Sequence, residues 1–197
     1  MREIVFATHN PNKLREIRQM LPPGLQLLSL DEIGCREAIA ETADTLEGNA
    51  KIKAAYVRDH YGYDCFADDT GLEVAALQGA PGVRSARFAG PEADSRKNTE
   101  KLLQLLRGTT DRRARFRTVI ALVLGGDYHY FEGEVTGEIL QAPTGDGGFG
   151  YDPVFRPLGH DCSFAEMPAE EKNRISHRGR AFRKFQAFME QIFPTSG

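Results

Sequence analysis

Two carboxylates stand side by side in "CFADDTGLEV", residues 65–74. Neighbouring strand residues face opposite ways, so Asp68 and Asp69 cannot both decorate the wet side of a half-buried strand. At least one points where an acid is costly. The Thr-Gly pair that follows reads as a turn, in which Asp69 oxygens could instead satisfy backbone N–H groups. Glu41, in "AETADTLEGNA", adds a third acid. Three carboxylates near strand and helix ends would suit Mg²⁺, which takes one or two carboxylates with waters and phosphate oxygens. One of them could also accept the proton of an attacking water. Sequence spacing does not by itself bring the three together.

Cations and donors recur at matching places. "THNPNK", residues Thr8, His9, Asn10, Pro11, Asn12 and Lys13, sits where a strand gives way to a helix. Unpaired N–H groups there, with a hydroxyl before them and a lysine in the first turn, suit phosphate oxygens. The GxxxxGK[ST] loop is absent, and a well-capped helix with an exposed lysine is the plain alternative. Lys53 falls in the apolar stripe of Leu46, Ala50 and Val57, with Asn49 one turn back. A lysine there wants an anion, unless its stem packs and its ammonium snorkels to water.

"GDGGFGYDP", residues 145–153, contains G-x-G-x-x-G, but Tyr-Asp-Pro follows where a dinucleotide motif needs a helix. The glycines either let backbone approach a flat ligand against Phe149 or make a loose connection. In "EEKNRISHRGRAF", His177 and Arg178 occupy the first turn of a helix that has no acid there. Positive charge is disfavoured at that end by about 0.3–1 kcal/mol each, tolerable if both face solvent.

The elements that must hold these residues alternate. "EIVFAT" reads as a buried strand, and "NPNKLREIRQML" as a helix capped by Asn10 with Pro11 first. "GLQLLSL" is a second strand. "DTLEGNAKIKAAYVRDHYG" is a helix in which Asp44 and Glu47 have capping-box spacing. "DCFADD" is a third strand, and "SRKNTEKLLQLLRG" a helix stopped by Gly108. Residues 115–140 form two long antiparallel strands around Gly-Gly-Asp, and "PVFRPL" is a short one. The tail over 176–193 is a helix with Ile175, Phe182, Phe185, Met189 and Ile192 on one face. The class is α/β with a mixed sheet, read as one domain over 1–197.

Composition narrows the partners. The chain has 197 residues, 41% hydrophobic and 27% charged, with a net charge of -3. That balance argues for no particular partner. Arg112, Arg113, Arg115 and Arg117 hint at nucleic acid but stand in an acidic chain without interleaved aromatics, and read as a solvated face. Arg84 and Arg87 sit in a Pro/Gly-bounded loop that packing or recognition must order. Cys35, Cys65 and Cys162 are odd in number and have no CxxC spacing, which fits a reducing cytosol. "VIALVL", the longest apolar run, is far too short to span a bilayer. No export signal, membrane segment or nucleic-acid partner is expected.

Taken in order, "THNPNKLREI", "ETADTLEGNAKIKA", "ADDTGLEV", "GAPGVRSARFAG", "GGFGYDPVF" and "EEKNRISHRGRA" closely resemble the inosine/xanthosine triphosphate pyrophosphatase family, from first strand to last helix. The resemblance implies a cytosolic homodimer. Such an enzyme hydrolyses ITP, dITP and XTP to monophosphate and pyrophosphate with Mg²⁺, keeping damaged precursors out of nucleic acid. It also implies an α/β fold with a long curved mixed sheet, flanking helices and two lobes around a central cleft. Residues Thr8 to Lys13 resemble the triphosphate turn, and Lys53 a further phosphate contact. Glu41 and Asp69 match the metal carboxylates, Asp69 also taking the proton with Asp68 in support. Phe149, Gly150, Tyr151, Asp152, Lys172, His177 and Arg178 resemble the base pocket, and Thr70 a substrate contact. His9 and Ala40 depart from the pattern, where many members have a small residue and some a second acid. Competing readings are a Maf-like enzyme for pyrimidine or modified-base triphosphates, and a nucleotide- or RNA-binding module without hydrolysis.

Overall fold

Successive residues Ile4, Val5 and Phe6 of the first strand are all buried but pack on opposite faces, Ile4 and Phe6 in one core and Val5 in the other, and that alternation sets the architecture. In a computed structural model that describes residues 2–194, β1 (Arg2–Phe6) lies between two parallel neighbours. These are β2 (Leu25–Leu28), with Val5 opposite Leu28, and β3 (Cys65–Val74), with Phe6 opposite Phe66. The helices joining them are α1 (Pro11–Met20) and α2 (Leu46–Tyr61). Next come α3 (Ser95–Leu105), β5 (Arg113–Leu124) and β6 (Asp127–Ile139), the short strands β4 (Pro81–Gly82) and β7 (Phe155–Pro157), α4 (Ala169–Ile175) and α5 (His177–Ile192). Among the described residues the strand order is β2-β1-β3-β5-β6-β7, with β4 antiparallel to β3. The sheet is mixed, as the sequence indicates.

The chain divides into two compact units. Within the described residues, the first runs to Asp69 and resumes over Thr118–Gly133 and from Arg178 onward; the second comprises Thr70–Arg117 and Glu134–His177. In the first unit, Ile4, Phe6, Phe66, Ile120 and Leu122 pack with Ile17 of α1 and Phe182, Phe185 and Met189 of α5. Val5, Ala7, Cys65, Ala67, Ala121 and Val123 pack with Ala50, Ala54 and Val57 of α2. The period of two thus assigns α1 and α5 to one sheet face and α2 to the other.

In the second unit only one face is apolar. Leu72, Val74, Leu102, Phe116, Val135, Phe155 and Phe164 form its core. Charged residues occupy alternate positions: Glu73 accepts from Arg115 at 2.7 Å and Arg117 at 3.0 Å, and Arg115 also reaches Glu134. Arg113 pairs with Asp111, and Arg112 donates to the carbonyls of Leu106, Ile139 and Leu140. The arginine run is a strand face matched by the protein's own acids and carbonyls. Arg84 and Arg87 are exposed in a packed loop, whose Ser85 hydroxyl accepts from the Leu72 N–H and donates to the Gly82 carbonyl.

Local signals hold at most junctions. The Asn10 side chain accepts from the N–H groups of Asn12 and Lys13, and Pro11 opens α1. Gly125 and Gly126, both at positive φ, make the tight β5–β6 connection. Gly108 also has positive φ, three residues beyond α3.

Four expectations are corrected. Asp69-Thr70-Gly71 is not a turn: β3 runs on to Val74 because Leu72 and Val74 are buried and β4 pairs beside them. Asp44 does not cap α2. Thr45 does, its hydroxyl accepting the Gly48 N–H at 3.0 Å, which begins the helix one residue later than the capping-box reading. Residues 169–175 form a helix the sequence reading lacked, and its extended C-cap Ser176 separates Ile175 from α5. Ile192 is 41% exposed, so the buried α5 stripe reduces to Phe182, Phe185 and Met189.

Thr45→Ala should lower stability by about 1 kcal/mol in urea unfolding, the usual cost of losing such a cap. Asp44→Ala should cost a few tenths at most. Equal losses would return the cap to Asp44.

Candidate active site

The opposite facing of adjacent strand residues separates the acid pair. Asp68 follows Phe66 toward α1 and α5, whereas Asp69 follows Cys65 and Ala67 toward α2. Both are buried, Asp68 to 1% exposure. Asp68 Oδ1 accepts from Lys13 Nζ at 2.8 Å, and its Oδ2 from Arg178 Nε at 3.0 Å. Its carbonyl accepts from Lys53 Nζ at 2.6 Å. Arg178 Nη1 donates to Glu16 Oε2 at 2.6 Å. Neither Lys13 nor Arg178 points idly into solvent, and the cationic start of α5 is offset by two carboxylates from elsewhere in the chain.

Burial and neighbouring charge together set the protonation of these groups. Burial alone would raise Asp68, but Lys13, Arg178 and Lys53 hold it well below the ordinary carboxylate range. Lys13 is lowered by burial and by repulsion from Lys53 and Arg178, with Asp68 opposing. Burial would lower Lys53 too, yet Asp69, Glu41 and Asp68 together keep it raised. Asp69 is raised, first by its own burial and further by Glu41, against the pull of Lys53 and Lys13. The neighbours therefore differ chemically: Asp68 is a fixed anion and Asp69 the acid that holds a proton more readily.

Asp69 has its own partners. Asn49 Nδ2 donates to Asp69 Oδ2 at 3.2 Å, and Lys53 Nζ lies 3.8 Å from Oδ1. The same ammonium is 2.6 Å from Glu41 Oε1. Two carboxylates thus converge on one cationic point, which is the donor set a divalent ion would use. No group of three or more His, Cys, Asp or Glu side chains suited to a metal occurs among the described residues. Two carboxylates fit Mg²⁺ sharing its shell with phosphate oxygens better than a metal held by protein alone.

The turn before α1 is ordered by its own side chains. Thr8 Oγ1 accepts the Asn10 N–H at 3.1 Å, and Asn10 caps the helix. His9 is exposed, its Nε2 2.9 Å from the Glu37 carbonyl, and Pro11 is exposed as well. The Asn12 side chain accepts from Arg15.

The remaining predicted residues fall in the second unit. Asp152 Oδ2 accepts from Lys172 Nζ at 2.5 Å and from the Phe149 N–H at 2.8 Å. Lys172 Nζ lies 4.9 Å from the centre of the half-buried Phe149 ring, within cation–π range. Gly148 has φ +69°, and a Cβ there would meet the Asp152 carboxylate, so the glycines serve this packing. Tyr151 is turned into the core, its hydroxyl donating to the Ser85 carbonyl at 2.7 Å. His177 is buried and stacks on Phe116, ring centres 4.5 Å apart. Thr70 is half-buried on β3. Arg178 belongs to the first unit, on Asp68 and Glu16, while its chain neighbour His177 belongs to the second. Glu16 escaped the predicted set, although it lies three residues after Lys13 on one helix face; Asn49, read only as a neighbour of Lys53, proves to be a partner of Asp69.

An α/β sheet with helix-borne lysines on buried strand carboxylates, beside a capped helix start, is an arrangement of the kind that suits phosphate oxygens. The chain belongs to the Ham1 family, whose model matches residues 4–188. It is 58% identical to a dITP/XTP pyrophosphatase of Christiangramia forsetii over 96% of this chain and all of that one. It is 43% identical to the dITP/XTP pyrophosphatase of Bacillus subtilis over 96% of this chain and 98% of the other. Its fold matches the Ham1 protein of Staphylococcus aureus with a TM-score of 0.88 at 38% identity, over 97% of this chain and 100% of that one. The Coxiella burnetii HAM1 protein gives a TM-score of 0.89 at the same identity and coverage.

Removing one partner of this buried network should be severe. Asp68→Asn should cost about 3–5 kcal/mol near pH 7, because Lys13 and Arg178 lose their shared counter-charge. A depressed carboxyl adds stability above its unfolded value, near 3.8, and loses it as pH falls through the lower folded value. The stability gap between wild type and variant in urea unfolding should therefore narrow below about pH 4. A gap that stays constant through that range would refute the ionic role.

Proposed function

We propose that this chain hydrolyses deaminated purine nucleoside triphosphates, dITP, XTP and ITP, to the monophosphate and pyrophosphate, clearing them from the nucleotide pool. The names of relatives at 43–58% identity over nearly the whole chain support the substrate class. The observation that carries the chemistry is the division of the acid pair, Asp68 locked by cations and Asp69 left as the acid whose proton affinity is raised.

Water attacks the α-phosphorus, the bond to the β-phosphate oxygen breaks, and Asp69 takes the water's proton. Lys13, Lys53 and the N–H groups at the start of α1, over Thr8 to Lys13, bind the triphosphate and offset charge on the pyrophosphate leaving group. With all groups ionised, Lys13, Lys53 and Arg178 face four carboxylates, Glu16, Glu41, Asp68 and Asp69, so the centre carries one net negative charge. A polyanion needs an added cation there. Glu41 and Asp69 are the residues that would hold Mg²⁺, which would supply that charge and polarise the phosphate oxygens.

Base selection falls to Phe149, the loop Gly150–Asp152, Lys172 and His177. Phe149 offers a ring face, and Lys172 a donor anchored on Asp152. Deaminated purines carry an accepting oxygen on C6 where adenine carries a donating amino group. A donor at that position pairs with the first and is left unpaired by the second. Thr70 contacts substrate beside Asp69.

The cytoplasm is the proposed compartment, supported by three free cysteines, one of which, Cys65, has its thiol pushed up to about 12 by burial. No helix among the described residues is long and apolar enough to cross a membrane. A second copy of the chain is the proposed partner, a role favoured by the outward Leu158, 79% exposed, and Leu105. Light scattering should give twice the chain mass, and the mass of one chain would rule the dimer out.

Pyrophosphate release by the purified protein should be fast from dITP, ITP and XTP, slow from ATP, GTP and dUTP, and abolished by EDTA. Asp69→Asn should stay folded and lose at least about 100-fold in kcat. Near-normal turnover in that variant would remove Asp69 from the proposed role.

A further inference from the structure

We infer that Asn49 is a positioning residue that decides which oxygen of Asp69 takes part in the reaction. The inference rests on the reading of Asp69 as the proton acceptor. Asn49 is 1% exposed and lies one turn before Lys53 on α2. Its Oδ1 accepts the Ala43 N–H at 2.9 Å, and its Nδ2 donates to Asp69 Oδ2 at 3.2 Å. A backbone N–H can only donate, so the amide oxygen must face Ala43 and the amino group must face the carboxylate. The orientation is dictated by both neighbours at once.

Two consequences follow for the centre. The Oδ2 atom of Asp69 is committed to a neutral donor, while Oδ1 faces Lys53 Nζ, the ammonium that also meets Glu41. On this inference the reaction uses Oδ1, the oxygen on the side of Lys53 and Glu41. Second, Ala43 lies two residues beyond Glu41, so one side chain ties the segment presenting Glu41 to the carboxylate of Asp69. The residue type is constrained accordingly. Aspartate at this position keeps the acceptor for Ala43 but loses the donor to Asp69. Leucine has similar bulk and loses both. Glutamine adds a methylene on a helix whose start is already pinned by Thr45.

The experiment is steady-state dITP hydrolysis by Asn49→Asp, Asn49→Leu and Asp69→Asn, with thermal melting and equilibrium binding of a non-hydrolysable dITP analogue. Both Asn49 variants should lose about 10–100-fold in kcat, the usual cost of removing a group that orients a working ligand. KM and analogue affinity should stay within about threefold of wild type, because the loss is in the reacting geometry and not in substrate binding. Both variants should melt below wild type, Asn49→Leu because Ala43 loses its acceptor and Asn49→Asp because a second buried carboxylate then faces Asp69.

Wild-type kcat in either Asn49 variant, with Asp69→Asn inactive, overturns the inference and leaves the role of Asp69 standing. A loss in Asn49→Asp alone would mark a charge effect and also overturn it. So would losses that disappear once rates are corrected for the folded fraction. Full turnover by Asp69→Asn would remove the reading on which the inference rests.

Discussion

A carboxylate with almost no exposure to water stays ionised only if cations are brought to it, and Asp68 is the point on which the first unit depends. Lys13 comes from α1, Arg178 from α5 and Lys53 from α2, each fixed by a helix packed on the sheet. Chain order scatters them over more than 160 residues, and the acid gathers them. Desolvating four such groups is costly, so a merely stable core would not contain them. Their presence is comprehensible as preorganisation for an anionic substrate, whose charge arrives into dipoles and cations that need not move.

The strand period of two is what turns this cluster into a device with distinct parts. Consecutive residues of β3 receive different environments: one carboxylate is saturated by cations and the other is held by an amide on one oxygen and an ammonium near the second. No loop could separate two adjacent side chains as firmly. The second unit uses the same period for another end, one face filling a core and the other carrying Arg115 and Arg117 paired with Glu73.

Much of this is legible in the sequence. The Asn10 cap, the alternation around Phe66, the buried stripe of α2 and the glycine connection between long strands follow local rules, and the structure obeys them. The identity of the Lys53 partner was not legible, because Glu41 and Asp69 reach it by different routes. The Thr-Gly pair after Asp69 misled for a clear reason: pairing with β4 and burial of Leu72 outweigh a two-residue turn preference. Tyr151 shows another limit. Its place two residues after Phe149 suggests a ligand contact, and nothing in that spacing reveals that its hydroxyl donates to the Ser85 carbonyl. Sequence proximity ranks residues by neighbourhood, and only packing tells which of them face inward.

The mutual dependence of Asp68, Lys13 and Arg178 has a bearing on how such a chain can diverge. Each charge makes the others tolerable, so single substitutions that neutralise one leave the rest buried without compensation. A duplicated copy relieved of its function would then tend to lose its fold before it lost its site, and would be cleared from the cell as an unfolded chain. Copies that persist should either retain all three charges or have replaced them together, which makes their joint retention a historical record of folding as much as of activity.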